Sequence, residues 1–263
     1  MRALRQLAEE WAFGRLWRYG LTLLVVFGPL ALVLSMQPIV DPPAYHDFAD
    51  QRAFIGIPNF LDVVSSIPYL LLGIAGLSAC HRMQRGSSWP AWNVFFTGIA
   101  LVGAGSAWYH WNPSSDTIAW DRLPMTLGFT GLFVAILIDY MSLRLGARLL
   151  VSAVLVGLFS VVYGYGYDDL RLYAWIQALP LLAISAAVLL YRPTYTRRGH
   201  LLLAFAFYAL AKAAEMHDRE VFTFTAGIVS GHTMKHVLAA FAIWAMLAMV
   251  RKRMPIAGND SAR

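Results

Sequence analysis

Residues 231–253 read Gly231-His-Thr-Met-Lys-His-Val-Leu-Ala-Ala-Phe-Ala-Ile-Trp-Ala-Met-Leu-Ala-Met-Val-Arg-Lys-Arg253. The apolar run from Val237 to Val250 stops on three consecutive cations, and two histidines open the segment one helical turn apart. Roughly twenty residues at about 1.5 Å each cross the ~30 Å of a bilayer's hydrocarbon. The segment therefore predicts a membrane helix, cationic at one end and bearing imidazoles at the other.

Working outward, apolar windows recur at 19–37, 58–80, 91–110, 122–140, 149–163, 172–190 and 200–216, with the last at 231–250. Each can span a bilayer, the fifth at the lower limit of length. Of 263 residues, 59% are apolar and 14% charged, where an average soluble domain has about a quarter charged. These values exclude an ordinary water-soluble domain. The single cysteine, Cys80, excludes an internal disulfide framework and a Cys-rich zinc site. Pro68 and Pro180 fall inside windows and predict kinks, while Pro58 and Pro124 sit near predicted helix starts. No repeat or linker divides the chain.

The net charge of +6 is a matter of topology. Fifteen of the 21 Lys and Arg lie in the N-terminal stretch 1–18, connectors 81–90, 141–148 and 191–199, and the tail 251–263. The alternate connectors 38–57, 111–122, 164–171 and 217–230 carry one each, and Lys212 and Lys235 lie within helices. Such alternation predicts an even number of spans with both termini cytoplasmic, and argues against a nucleic-acid partner. The window 19–37 reads as a retained anchor, because no small-residue cleavage site follows it. The predicted fold is an all-α membrane protein: a seven-transmembrane-helix core over 45–250, one additional N-terminal helix at 19–37, and a disordered cytoplasmic tail.

Ionisable groups inside a bilayer are costly and call for a reason. Ser106 and His110 are four positions apart at the end of the window 91–110, Asp121 opens the next helix, and His232 and His236 open the last. The topology puts all five at one depth, toward the outer face. Three imidazoles with an open fourth position are a donor set of catalytic Zn²⁺, which lowers the pKa of bound water toward ~7. Asp121 is a candidate proton shuttle and Ser106 a candidate oxyanion donor. Taken singly, each has a plainer reading: interfacial histidines bonded to backbone, a small packing serine, a helix N-cap. Their convergence favours the metal site.

With Ser106-x-x-x-His110, Asp121, His232-x-x-x-His236 and the stretch Ile57-Pro-Asn-Phe-Leu-Asp-Val-Val-Ser-Ser66, residues 45–250 resemble the alkaline ceramidase family and its bacterial relatives. That family lies within the wider superfamily that includes adiponectin-type receptors. The resemblance implies seven helices around zinc held by His110, His232 and His236, with Ser106 and Asp121 as active-site partners. It also implies hydrolysis of the N-acyl amide of a sphingolipid drawn from the bilayer, giving a fatty acid and an amine. Eukaryotic members carry a calcium site, to which Asp47 and Asp50 would correspond. Arg52 and Asn59, however, stand where a neutral amide and a carboxylate would be expected. Ca²⁺ takes about 6–8 oxygen ligands, and a nearby guanidinium opposes it, so the stretch reads as a solvated acidic connector.

Asp62, Lys212, Glu215 and Lys235 fall near the same depth, as support for the site or as mutual ion pairs, Lys212 with Glu215 in particular. His217 reads as interfacial, and His81 and His200 lie at the opposite end. Trp108, Trp111 and Trp120 read as an interfacial aromatic belt. Two other functions compete with a lipid amidase: a receptor or channel in which zinc staples helices, and a serine intramembrane protease using Ser106. The second lacks the glycine expected after the nucleophile, since Ala107-Trp108 follows Ser106.

Overall fold

The computed structural model of the chain describes residues 2–42, 44–82, 86–141 and 146–256. Of the predicted tail, 257–263 lie outside the described residues, as do Arg85 and Arg144 of the cationic connectors.

Ten helices make up the described chain: α1 (Arg2–Leu34), α2 (Phe60–Val64), α3 (Ile67–Arg82), α4 (Trp89–Trp111), α5 (Ile118–Met141), α6 (Gly146–Tyr167), α7 (Arg171–Leu190), α8 (Gly199–Met216), α9 (Asp218–Phe224) and α10 (Gly231–Lys252). Six stretches are long and apolar enough to cross a membrane: Leu16–Leu34, Phe60–Arg82, Ile118–Met141, Arg148–Tyr167, Arg171–Leu190 and Gly231–Lys252. The chain is accordingly an all-helical, multi-pass membrane protein. The helices α4 and α8 fall outside that set; polar residues dilute them, among them Asn93, Ser106 and His110 in α4 and Lys212 and Glu215 in α8.

Pro68 breaks the predicted 58–80 helix into α2 and α3. Its ring nitrogen has no proton to give the carbonyl four residues back. Pro180 sits inside an unbroken α7. Pro124 proves to be interior, because α5 starts at Ile118 and places Asp121 in its first turn. The connector 217–230 holds α9, too short and polar to register as an apolar window.

Packing follows small residues. A Cβ on Gly98 would lie 2.4 Å from the Gly128 amide nitrogen, and one on Gly105 would lie 2.0 Å from the Trp120 carbonyl oxygen. Only glycine lets α4 and α5 approach this closely, as small residues do in membrane interfaces. The helices α3, α4, α5, α7, α8 and α10 surround an internal cavity, with α8 packed on α10 and only weakly on α7. The helix α1 stands outside this ring against α7, where the Trp175 indole donates to the Val26 carbonyl at 2.8 Å.

Two cations counted with the connectors are in fact buried. Arg253 pairs with Asp139 and lies over the Trp92 ring, tying the end of α10 to α4 and α5. Arg122 lies within α5 and reaches Asp41 at 2.7 Å. Trp108, Trp111 and Trp120 are exposed on the outside of the bundle, at 58%, 47% and 60%, as belt residues would be.

Candidate metal centre

Successive long helices alternate in direction, so the end of α4, the start of α5 and the start of α10 meet at one end of the bundle, called here the site end. His110 is 0% exposed, His236 2% and His232 8%. Their ring centroids form a nearly equilateral triangle, 4.8 Å between His110 and His232 and 5.0 Å on the other two sides. One ring nitrogen from each lies within 4.8 Å of the others.

This geometry fits a metal ion. Tetrahedral zinc with Zn–N of about 2.0–2.1 Å puts neighbouring donor nitrogens about 3.3–3.4 Å apart. The Nε2 atoms of His110 and His232 are 3.3 Å apart. His236 has its Nδ1 bonded to the Ser65 hydroxyl at 2.8 Å, which leaves Nε2 for a metal. The three histidines are thus close enough to hold a metal ion, and imidazole is a donor compatible with zinc. One group competes: the Lys235 ammonium lies 3.0 Å from His232 Nε2. The Nδ1 of His110 is buried and has no hydrogen-bond partner among the described residues.

Each ligand helix is pinned close to its histidine. Asn59, held in left-handed backbone at φ 44°, donates from Nδ2 to the His110 carbonyl at 2.8 Å. The Tyr69 hydroxyl donates to the His236 carbonyl at 3.0 Å. Asp218 accepts the His232 backbone amide at 2.7 Å through one oxygen and that of Ala49 at 2.8 Å through the other. Asp62, 1% exposed, accepts from the Thr233 hydroxyl at 2.5 Å, and its second oxygen is buried without a partner among the described residues.

The Ser106 hydroxyl lies within hydrogen-bonding reach of the Asp121 carboxylate, and both side chains line the cavity beside His236. The five residues expected to converge therefore do. Lys212 and Lys235 both pair with Glu215, the latter at 2.9 Å, so the ion pair expected within α8 extends to α10. His217 caps the end of α8 outside the triangle.

The connector before α2 is solvated only in part, with Asp47 and residues 51–56 exposed. It folds over the histidines, with the Phe48 ring 4.5 Å from that of His232 and 4.9 Å from that of His110. Phe48 is 5% exposed and Asp50 3%. Burying the Phe48 ring supplies the drive, and the charges are neutralised in place. Both Asp50 oxygens accept from the Arg52 guanidinium at 2.7 Å, and Asp47 pairs with Arg219 at 2.5 Å. Burial pushes the Asp50 carboxyl up, but hydrogen bonds and charge from Arg52 outweigh it and hold the group below its ordinary range. Burial likewise lowers the His46 imidazole, Asp41 opposing and Arg122 adding. His46 reaches the Tyr109 hydroxyl through Nδ1 at 2.9 Å. Phe48 and Asp218 carried no periodic or spacing signal; Ser65 and Asn59 lay inside the stretch 57–66 that carries the resemblance.

The cavity, of about 140 Å³, opens from the Ser106, Asp121 and His236 side of the triangle and continues between apolar side chains as far as Phe95, Leu132 and Met246. No protein-family model matches the chain, and no curated protein matches it either.

Proposed function

We propose that the chain is a zinc-dependent membrane hydrolase of the alkaline ceramidase kind, cleaving the amide of an N-acyl lipid to a fatty acid and an amine. The observation that carries this reading is the joining of a buried three-histidine triangle to a long apolar cavity through a serine and a carboxylate. In this reading α3 to α8 and α10 are the seven core spans, with α2 leading into the first and α1 the additional one. Both termini are cytoplasmic, and the site end faces outward. The cationic connectors support that orientation.

Bound zinc would supply a Lewis acid that polarises the amide carbonyl and renders water nucleophilic. The apolar cavity takes the acyl chain and excludes water from it. Asp121 accepts the proton of the attacking water and returns it to the departing amine nitrogen. Once protonated, Asp121 is a weaker acceptor, which frees the Ser106 hydroxyl to donate to the oxygen that gains charge. The lipid reaches the cavity sideways, between α7 and α8, whose mutual packing is slight. Ser106 pairs with Asp121, whereas a serine nucleophile would need a histidine in that place.

The test is release of fatty acid from N-acylsphingosine by purified protein, followed together with its metal content. Stoichiometric zinc with activity lost on chelation and regained on zinc addition is the expected result. Full zinc without turnover of any N-acyl lipid would favour a receptor in which the metal only joins helices.

A further inference from the structure

Seven polar side chains line the cavity, and five are committed: His236 to the Ser65 hydroxyl, Tyr69 to the His236 carbonyl, Ser106 and Asp121 to each other, and Lys235 to Glu215. Gln177 of α7 and Tyr208 of α8 also line it, and neither has a hydrogen-bond partner among the described residues. An amide or hydroxyl left unbonded in apolar surroundings costs free energy. Polar groups at membrane depth call for a functional reason.

Depth can be read from the helices at 1.5 Å per residue. Asp121 lies about 4.5 Å from the start of α5 at the site end, and His236 about 7.5 Å from the start of α10. Gln177 lies about 9 Å from the start of α7, and Tyr208 about 12 Å from the site end of α8. The floor at Leu132 and Met246 is about 21–23 Å down. The two free polar groups therefore stand just below the reacting end, in the upper part of a cavity that is otherwise apolar beneath them.

We propose that Gln177 and Tyr208 form a hydroxyl-binding subsite, and that the preferred substrate is an N-acyl amide whose chain is hydroxylated near the carbonyl, at the 3-position. The proposal rests on the hydrolase reading above for its substrate, though not for its ligand chemistry. A carboxamide offers both donor and acceptor, as does a phenol, and a ligand hydroxyl uses both. A keto group would leave the Gln177 oxygen unanswered. The pair is uncharged, so a neutral group suits it, and the nearest ammonium, Lys235, is already held by Glu215. Access fits as well, because the two residues come from the facing helices of the loosely packed α7/α8 seam.

The experiment compares N-(3-hydroxydodecanoyl)sphingosine with N-dodecanoylsphingosine on the purified, zinc-loaded full chain. Beside this, 3-hydroxydodecanoate and dodecanoate are titrated by calorimetry into the same protein with and without zinc. The hydroxylated compound is expected to be favoured about tenfold in both kcat/KM and affinity, the worth of one or two net hydrogen bonds. Gln177→Leu and, separately, Tyr208→Phe should bring both ratios toward one while leaving the unsubstituted chain within about threefold of wild type. Hydroxyl preference in binding without hydrolysis of either amide would remove the hydrolase reading and keep the subsite. Equal binding of the two acids, or a preference that survives Gln177→Leu, overturns the subsite whether or not the amides are cleaved.

Discussion

The Nε2 atoms of His110 and His232 face each other across 3.3 Å, although 122 positions separate them in the chain. The same His232 nitrogen also lies 3.0 Å from the Lys235 ammonium. A metal ion and a lysine thus compete for one lone pair, and this competition shapes what the centre should do.

Replacing His232 with Ala removes one corner of the triangle. After dialysis, metal content measured by plasma mass spectrometry should fall below about a tenth of wild type, since loss of one of three protein ligands leaves an incomplete set. Activity should fall with it. Stoichiometric metal in this variant would show that the ligand set is drawn from other residues.

Lys235→Met should tighten metal binding. A unit charge at about 4 Å still matters by several kcal/mol at an effective dielectric near 20, so removing a cation beside a divalent ion favours the ion. Competition against a chelator should show at least a tenfold gain, with Glu215 still paired to Lys212. A weaker zinc affinity would mean that the ammonium supports the site.

Gly105→Ala places a methyl 2.0 Å from the Trp120 carbonyl oxygen. The start of α5 must then move away from α4, parting Asp121 from Ser106, at a cost of about 1–3 kcal/mol of overpacking. Melting in detergent should drop by several degrees and activity by more than tenfold. Gly20→Ala, with nothing within 4 Å of the new carbon, is the control and should behave as wild type.

The connector over the histidines should loosen in acid. Asp50 is held below its ordinary 3.8 in the folded protein, so its pairing with Arg52 stabilises fully above that value and is lost as pH falls through the lower folded value. Hydrogen exchange of residues 44–57, corrected for intrinsic rate, should be flat from about pH 7 to 5 and rise below about 4. Asp50→Asn should show the fast rate throughout. A connector that loosens instead as pH rises would contradict this assignment.

Orientation can be read with thiol reagents. With Cys80 replaced, Ser115→Cys lies in the exposed loop at the site end and Ser87→Cys in the exposed loop at the other. An impermeant maleimide applied to intact cells or spheroplasts should modify position 115 and spare 87. The reverse pattern would turn the site toward the cytoplasm.

Much of this protein was legible in one dimension. Hydropathy marked the helices, and a cationic stop such as Arg251-Lys-Arg253 marked the end opposite His232. Because a helix rises by a constant amount per residue, depth follows from position, so Ser106, His110, Asp121, His232 and His236 could be assigned to one level from spacing alone. Direction around the axis is different. Periodicity says which residues share a face of one helix, but which neighbour that face meets depends on how closely backbones can approach, and here Gly98 and Gly105 decide it. Only the tertiary structure therefore brought Ser65 to His236, aimed Gln177 and Tyr208 into one cavity, and buried Arg253 against Asp139. It also decided the fate of the connector at 44–52. Its charges suggested a solvated strand of chain, yet burying one phenylalanine between two imidazoles, with each carboxylate neutralised by a guanidinium, is favourable only when distant helices have already met.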